Sequence, residues 1–423
     1  MTVSAARVAA FTAVRRTFEH GAYTDRALRS AAAGLDRRER ALAMRLAFGT
    51  VQRRATLDHI AERFSDRGVE RLEPAVLAAL RLGLYQVLFL GGVADHAAVN
   101  EAVELAKRDG RQGFRLVNAV LRRAVREGAG LLGGLDDSTP DRAAVLHSVP
   151  RWLAAMWWSE LGPERARGLL RAINEPAESA LRVNTLVMSA NDAVSRLPVR
   201  SHPAPGLPEG LILDSPFDVE GSELWRTGAI MAQSRASMNV ARQVDPAPGE
   251  LLLDLCAAPG GKTTHLAALS GDRAEIVAVE RNPARGRMLR ETCARMRAES
   301  VRIEVRDAAA YRAERAFDRV LADPPCSGLG TLQSRPDVRW RASPESIAEL
   351  AELQARIMAA AVAATGPGGQ VVYSVCTISR AESDQVVDRV LAEARGVMLE
   401  EAVQLFPDRD RTDGFYIARL RRE

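Results

Sequence analysis

At 423 residues, with 47% hydrophobic and 26% charged side chains, the chain has globular composition and is long enough for about three ordinary domains. Disordered and collagen-like classes are excluded. Four cysteines in a chain this long cannot form a secreted disulfide scaffold, and the lack of a Cys-x-x-Cys pair argues against a zinc finger, so no metal is expected. The net charge of +4 is uneven: residues 1–130 carry 22 basic and 14 acidic side chains, and the remainder carry 36 and 40. That local excess fits a nucleic-acid partner, and equally a solvated arginine-rich face. The first twenty residues lack the apolar stretch and small-residue cleavage site of a signal peptide, and no run of about 18 apolar residues occurs. A cytoplasmic protein with no membrane partner is expected.

Residues 1–130 have the 3.6-residue apolar rhythm of helices, as in Val8, Phe11, Val14 and Phe18. Ala75 to Leu90 is apolar nearly all round, which predicts a central buried helix. A bundle of about five to seven helices follows. The Gly-rich then acidic stretch 128–141 is the best linker candidate. Trp152, Trp157 and Trp158 lie in a short helical region and read as core. Residues 131–235 combine this linker with a small α+β module: a strand at Ala180 to Asn184, a helix after Ser189 and a Pro-rich loop from His202 to Glu209.

From about residue 236 the rhythm becomes β-α-β. Strands are predicted at 251–255, 275–280, 301–305, 317–322 and 370–375. A long helix runs from Ser343, with Pro344 at its first position, to the glycines at 366–369. This order predicts a doubly wound parallel sheet, Rossmann-like, over 236–423.

Ligands of such sheets bind beyond the carboxyl ends of the strands, and the chemically informative residues fall there. The first strand leads into Cys256, Ala257, Ala258, Pro259, Gly260, Gly261 and Lys262. Its glycines allow a ligand close to the backbone, and a helix N-terminus follows. The spacing matches neither a Walker loop nor the dinucleotide fingerprint. Glu280 ends the second strand, where a carboxylate accepts both ribose hydroxyls; Asp307 follows the third, placed for an adenine amino group. Capping a helix is the bland alternative for each acid. A glycine turn followed by two acids suits a nucleoside without phosphates, and S-adenosylmethionine fits better than NAD. The fourth strand delivers Asp323-Pro-Pro-Cys326, and the fifth delivers Cys376. Two cysteines at strand tips beside a methyl donor suggest covalent chemistry, whereas Cys256 and Cys293 read as packing residues.

At these residues the chain resembles the RNA (cytosine-5)-methyltransferases of the Nop/Sun family, through CAAPGGK, Glu280, Asp307, DPPCSG and the second cysteine motif at Cys376. The segments RLAFGTVQRRATLDHI, LRLGLYQVLFL, HAAVNEAVELAK and LVNAVLRR resemble a NusB-like helical RNA-binding domain. VPRWLAAMWW, ALRVNTL and the closing DGFYIARL extend the likeness over nearly the whole chain. The combination resembles the small-subunit (16S) ribosomal RNA methyltransferases of that family. The chain departs from the family pattern at Val375, where threonine is usual, and at Ser383, where asparagine is.

The resemblance implies a multidomain fold: an all-α NusB-like domain over 1–130, a small α+β RNA-binding module over 131–235 and a Rossmann-like methyltransferase domain over 236–423. It implies methylation of carbon 5 of a cytosine in 16S ribosomal RNA with S-adenosyl-L-methionine as cofactor, by a monomer. Cys376 is then the nucleophile that adds to carbon 6, Cys326 assists proton removal and product release, and Asp323 orients the base. The donor would be held by residues 256–262, Glu280, Asp307 and Asp323. Alternatives stay open: the cysteine roles exchanged, another RNA as substrate, or a non-catalytic NusB-like RNA-binding factor.

Overall fold

A computed structural model describes residues 3–65, 68–109 and 113–423. The chain divides into two compact units. The first comprises residues 1–175 and the segment Leu332–Arg341, and the second comprises the rest.

Among the described residues of the first unit, seven α-helices lie between Ala5 and Gly133. The helix Pro74–Phe89 starts with proline at its first position and is buried along most of its length, through residues such as Leu80, Leu82 and Leu84, as its unbroken apolar composition requires. The helix Arg37–Gln52 starts at Asp36, whose carboxylate accepts from Glu39 N at 2.8 Å. The stretch 128–141 differs from the linker expectation. Its leucines at 131 and 132 pack on the helical core, so the helix Phe114–Gly133 continues through the glycines and a new helix opens at Pro140.

The unit also runs on past residue 130 to Glu175. The helices Pro140–His147, Arg151–Leu161 and Pro163–Ala172 bury Leu153, Trp157 and Leu169 completely. They are tied to the preceding bundle by Ala55 N donating to Ser148 Oγ (2.9 Å) and Thr56 Oγ1 donating to Val145 O (2.6 Å). Trp157 is core, as expected, while Trp158 is half-buried under the Arg167 guanidinium. The distant segment Leu332–Arg341 completes the unit. Arg339 is wholly buried there and donates to Ser148 O (3.0 Å) and Asn174 Oδ1 (3.1 Å), and Trp340 Nε1 donates to Val51 O (2.7 Å).

The second unit contains two sheets. The smaller is antiparallel in the order β2-β3-β1-β4, from β1 (Ala180–Val183), β2 (Ser201–Ala204), β3 (Leu207–Leu213) and β4 (Ile230–Ala232). The expected loop at 202–209 is instead the β2–β3 hairpin. Its prolines are tolerated because Pro203 lies on an edge strand and Pro208 falls outside the paired register, beyond a bulge at Pro203/Ala204.

The larger sheet has the order β10-β11-β9-β8-β5-β6-β7. Its strands are β5 (Leu251–Leu255), β6 (Glu275–Val279), β7 (Val301–Glu304), β8 (Phe317–Ala322), β9 (Thr365–Val375), β10 (Val397–Leu405) and β11 (Phe415–Arg422). β5 through β9 pair in parallel, and β10 and β11 close one side antiparallel. The central strands carry Leu253, Val277 and Val320 at zero exposure, which matches their continuous apolar runs. The helix Pro344–Ala364 starts at Ser343 in a reciprocal capping box with Ser346. It ends at Ala364 because the chain turns directly into β9, so residues 365–369 are strand rather than a glycine-rich stop. β10 was not expected from the sequence; three consecutive glutamate and alanine positions, Glu400 to Ala402, obscure its alternation.

Candidate active site

The strand order reverses between β5 and β8, so the carboxyl ends of these two neighbours open a crevice at the centre of the sheet. The turn after β5 enters it through Cys256 at φ 67° and Gly260 at φ 105°, with a cis peptide between Ala258 and Pro259. Gly260 is required twice over: its φ disfavours any side chain, and a Cβ there would lie 2.9 Å from Leu289 Cδ1. At Gly261, which opens the next helix, a Cβ would meet only Met231 Sδ, at 3.8 Å. The turn therefore leaves open space above its backbone.

Lys262 projects from that helix and donates to Asp323 Oδ2 at 2.7 Å, beneath the ring of Phe415. Burial alone would lower the ammonium pKa. Asp323 outweighs it, helped by Cys376 and Asp254, and holds the group above its ordinary value. Ser374 on β9 donates to the other oxygen, Asp323 Oδ1, at 2.8 Å. Both carboxylate oxygens of Asp323 are thereby oriented before any ligand binds.

Cys326 follows β8 and Cys376 follows β9, and their sulfurs lie 3.3 Å apart. The Cys326 thiol is held well above the usual cysteine pKa, first by its hydrogen bond to Cys376 and then by burial. Of the other cysteines, the Cys293 thiol is buried and pushed up to about 12 by that burial. Burial and the carboxylates of Asp323, Asp254 and Glu280 push the Cys256 thiol up as well. Both shifts keep the thiol protonated near neutral pH.

Glu280 comes directly after β6 and is almost fully buried; Oε1 accepts from Asn282 N at 2.8 Å and Oε2 faces Arg285 at 3.4 Å. Asp307 lies three residues beyond β7, exposed, with one oxygen accepting from Ala309 N at 3.0 Å as the cap of a short 3-10 turn. The residues read from the sequence as donor-binding or catalytic thus lie at or just beyond the carboxyl ends of the five parallel strands. The glycine turn, the successive carboxylates at those ends and a lysine already paired to Asp323 fit a cationic, phosphate-free nucleoside.

Sequence reasoning missed several supports. Arg182 on β1 is fully buried and donates to Gln233 Oε1 (2.8 Å) and Thr264 Oγ1 (2.8 Å), clamping the helix that follows the glycine turn. Glu209 on β3 accepts from His265 of that same helix at 2.7 Å. Asp254, completely buried on β5, accepts from Thr263 Oγ1 at 2.6 Å. The only signal for these was a charged residue inside an apolar run, as in Leu-Leu-Leu-Asp-Leu and Ala-Leu-Arg-Val.

Fold and site together define a Rossmann-like methyltransferase with a NusB-like helical domain and a ferredoxin-like module. Residues 241–421 match the 16S rRNA methyltransferase RsmB/F family, residues 4–126 the NusB family, and residues 149–220 the ferredoxin-like domain of RsmF/B-like methyltransferases. The chain is 30% identical to the probable ribosomal RNA small subunit methyltransferase B of Bacillus subtilis, over 100% of both chains. It is 32% identical to the protein of that description from Synechocystis, over 99% of both. The crystal structure of PH0851 has the same fold, with TM-score 0.84 and 23% identity over 99% of each chain. The chain belongs to the ribosomal RNA small subunit methyltransferase B family.

Proposed function

We propose that the protein methylates carbon 5 of a cytosine in 16S ribosomal RNA, with S-adenosylmethionine as donor, through a covalent bond from Cys376 to the base. The observation that carries this reading is the pair of sulfurs 3.3 Å apart on adjacent strand tips, beside an Asp323 whose two oxygens are already oriented.

Residues 256–262, with Glu280 and Asp307, are assigned to the donor: backbone at the glycines, Glu280 to the ribose hydroxyls and Asp307 to the adenine amino group. When bound, S-adenosylmethionine supplies an electrophilic methyl on a sulfonium. Carbon 5 of cytosine is a poor nucleophile. Cys376 sulfur adds its electron pair to carbon 6, and the ring's displaced pair makes carbon 5 nucleophilic enough to take the methyl. Asp323 hydrogen-bonds the base and steadies the adduct. The carbon 5 proton then leaves to a base, the ring double bond re-forms, and the Cys376–carbon 6 bond breaks with its pair returning to sulfur. Cys326 is assigned to this release. The two sulfurs lie within hydrogen-bond distance, so a thiol on one can donate to a thiolate on the other. Residues 1–130 and 131–235 are assigned to holding RNA, largely through phosphates, since the basic excess lies in the first of them.

The test is a pair of substitutions assayed on a 16S ribosomal RNA transcript. Cys376→Ala abolishes turnover, and Cys326→Ala accumulates a protein–RNA complex that survives denaturant. Bisulfite sequencing places the product on a single cytosine. Turnover retained by Cys376→Ala overturns the assignment.

A further inference from the structure

Beyond the two cysteines and Asp323, one buried group touches both reactive loops at once. Glu382, in the short turn after Cys376, has zero exposure. Its Oε1 accepts from Ser327 N at 2.8 Å and Gln354 Nε2 at 3.0 Å. Its Oε2 accepts from Ser327 Oγ at 2.5 Å and Thr377 Oγ1 at 3.1 Å. Ser327 directly follows Cys326, and Thr377 directly follows Cys376. The two hydroxyls also meet each other at 2.8 Å.

The surroundings hold this carboxylate in place from behind. Tyr373 donates its phenol to the Glu382 carbonyl at 2.7 Å, and Gln354 donates to Pro325 O at 2.9 Å. Gln354 is fully buried on the long helix Pro344–Ala364, so the anchor is a rigid element rather than a loop. Two N–H groups converge on Oε1, which must accept, and two hydroxyls, able to donate or accept, converge on Oε2. A buried carboxylate so bound is costly to disturb, because any donor left over stays dry and unpaired.

We propose that Glu382 is the positioning residue that sets the spacing of the two cysteines, by tying the backbone after Cys326 to the side chain after Cys376. It touches neither base nor donor. It acts by holding Sγ of Cys376 where it meets carbon 6 while Cys326 stays beside it. Near-attack geometry is sensitive to displacements of about 1 Å, which cost on the order of a hundredfold in rate. This inference rests on the cysteine roles proposed above.

The experiment measures methyl incorporation into the 16S transcript by the full chain. Glu382→Gln replaces one oxygen with an amide NH2 group, so the Ser327 and Thr377 hydroxyls must turn round to accept from it. It lowers kcat at least tenfold while the KM and calorimetric affinity for S-adenosylmethionine change less than twofold, and Glu382→Asp restores part of the loss. In the Cys326→Ala chain, Glu382→Gln slows formation of the denaturant-resistant RNA complex by a similar factor. Should Glu382→Gln fail to fold, Ser327→Ala and Thr377→Val each remove one strut, and each lowers kcat severalfold. Parental kcat in the folded Glu382→Gln chain, or in both strut variants, overturns the proposal. So does a donor affinity that falls in step with kcat, which marks general collapse of the site. The cysteine assignment fails separately, through turnover by Cys376→Ala. In that case a kcat-only loss in Glu382→Gln still supports the strut between the loops.

Discussion

Cys326 Sγ lies 3.3 Å from Cys376 Sγ, although the two residues are 50 positions apart in the chain. β8 and β9 pair side by side in parallel, so their carboxyl ends, and the cysteines just beyond them, emerge together. The pair is part of a wider cluster in which Lys262, Ser374 and Asp323 share two further hydrogen bonds. Three chemical consequences are open to measurement.

The first is sensitivity to peroxide. Hydrogen peroxide converts one thiolate to a sulfenic acid with loss of hydroxide, and the neighbouring sulfur displaces the second oxygen as water. The sulfurs need only close to a bond of about 2.05 Å. Treated protein is expected to lose methyl transfer together with two titratable thiols, and dithiothreitol restores both. Peptide mapping finds the Cys326–Cys376 link. Recovery by thiol with all four cysteines still free during inactivation contradicts this.

The second concerns Lys262, one of two lysines in a chain whose 58 basic residues are otherwise arginine. Its ammonium fits a largely buried slot between Asp323 and the Phe415 ring. A planar, forked guanidinium does not fill that slot in the same way. Lys262→Arg is therefore expected to lower kcat/KM at least about tenfold, or ~1.4 kcal/mol of transition-state stabilisation. Lys262→Met, which strands the Asp323 carboxylate, costs more. Steady-state kinetics check the order, and parental kcat/KM in Lys262→Arg counts against it.

The third is a pH effect from Asp254. Burial raises its pKa from 3.8 to about 7, and the nearby Asp323 charge adds to the rise, against the opposing hydrogen bond from Thr263. A raised carboxyl pKa means that the folded state prefers the protonated acid. Its contribution is complete below the unfolded value near 3.8 and is lost as pH rises through about 7. Asp254→Asn mimics the neutral form at every pH. Relative to the parent, the variant is expected to be less stable at pH 5, where its amide lacks a partner, to gain as pH rises to about 7, and to level off above that. The swing is on the order of 2–4 kcal/mol. Denaturant unfolding across that range measures it, and a pH-independent difference refutes the assignment.

Much of the fold was legible in the chain because local signals agreed. Leu251 to Leu255, the glycine turn and the helix after it appear in the structure close to where pattern placed them, as does the helix opened by Ser343 and Pro344. Where local signals competed with tertiary packing, packing prevailed. The glycines at 128–134 stay largely helical because Leu131 and Leu132 have a core to join, and the prolines at 203 and 208 enter a hairpin because its edge and bulge need no donor from them.

The site divides in the same way. By itself the sequence determined which residue types end each strand: the glycine turn, Glu280, Asp307, Asp323 and the two cysteines. Motif and strand end are both local properties, so a linear reading reaches them. Only the tertiary structure decided that Glu382 joins the two cysteine loops, that Arg182 clamps the helix beyond the glycine turn, and that Leu332–Arg341 packs with the helical unit. Those residues are polar groups buried among partners that lie far from them in the chain. Burial turns each into an obligation to pair, and no one-dimensional pattern says with what.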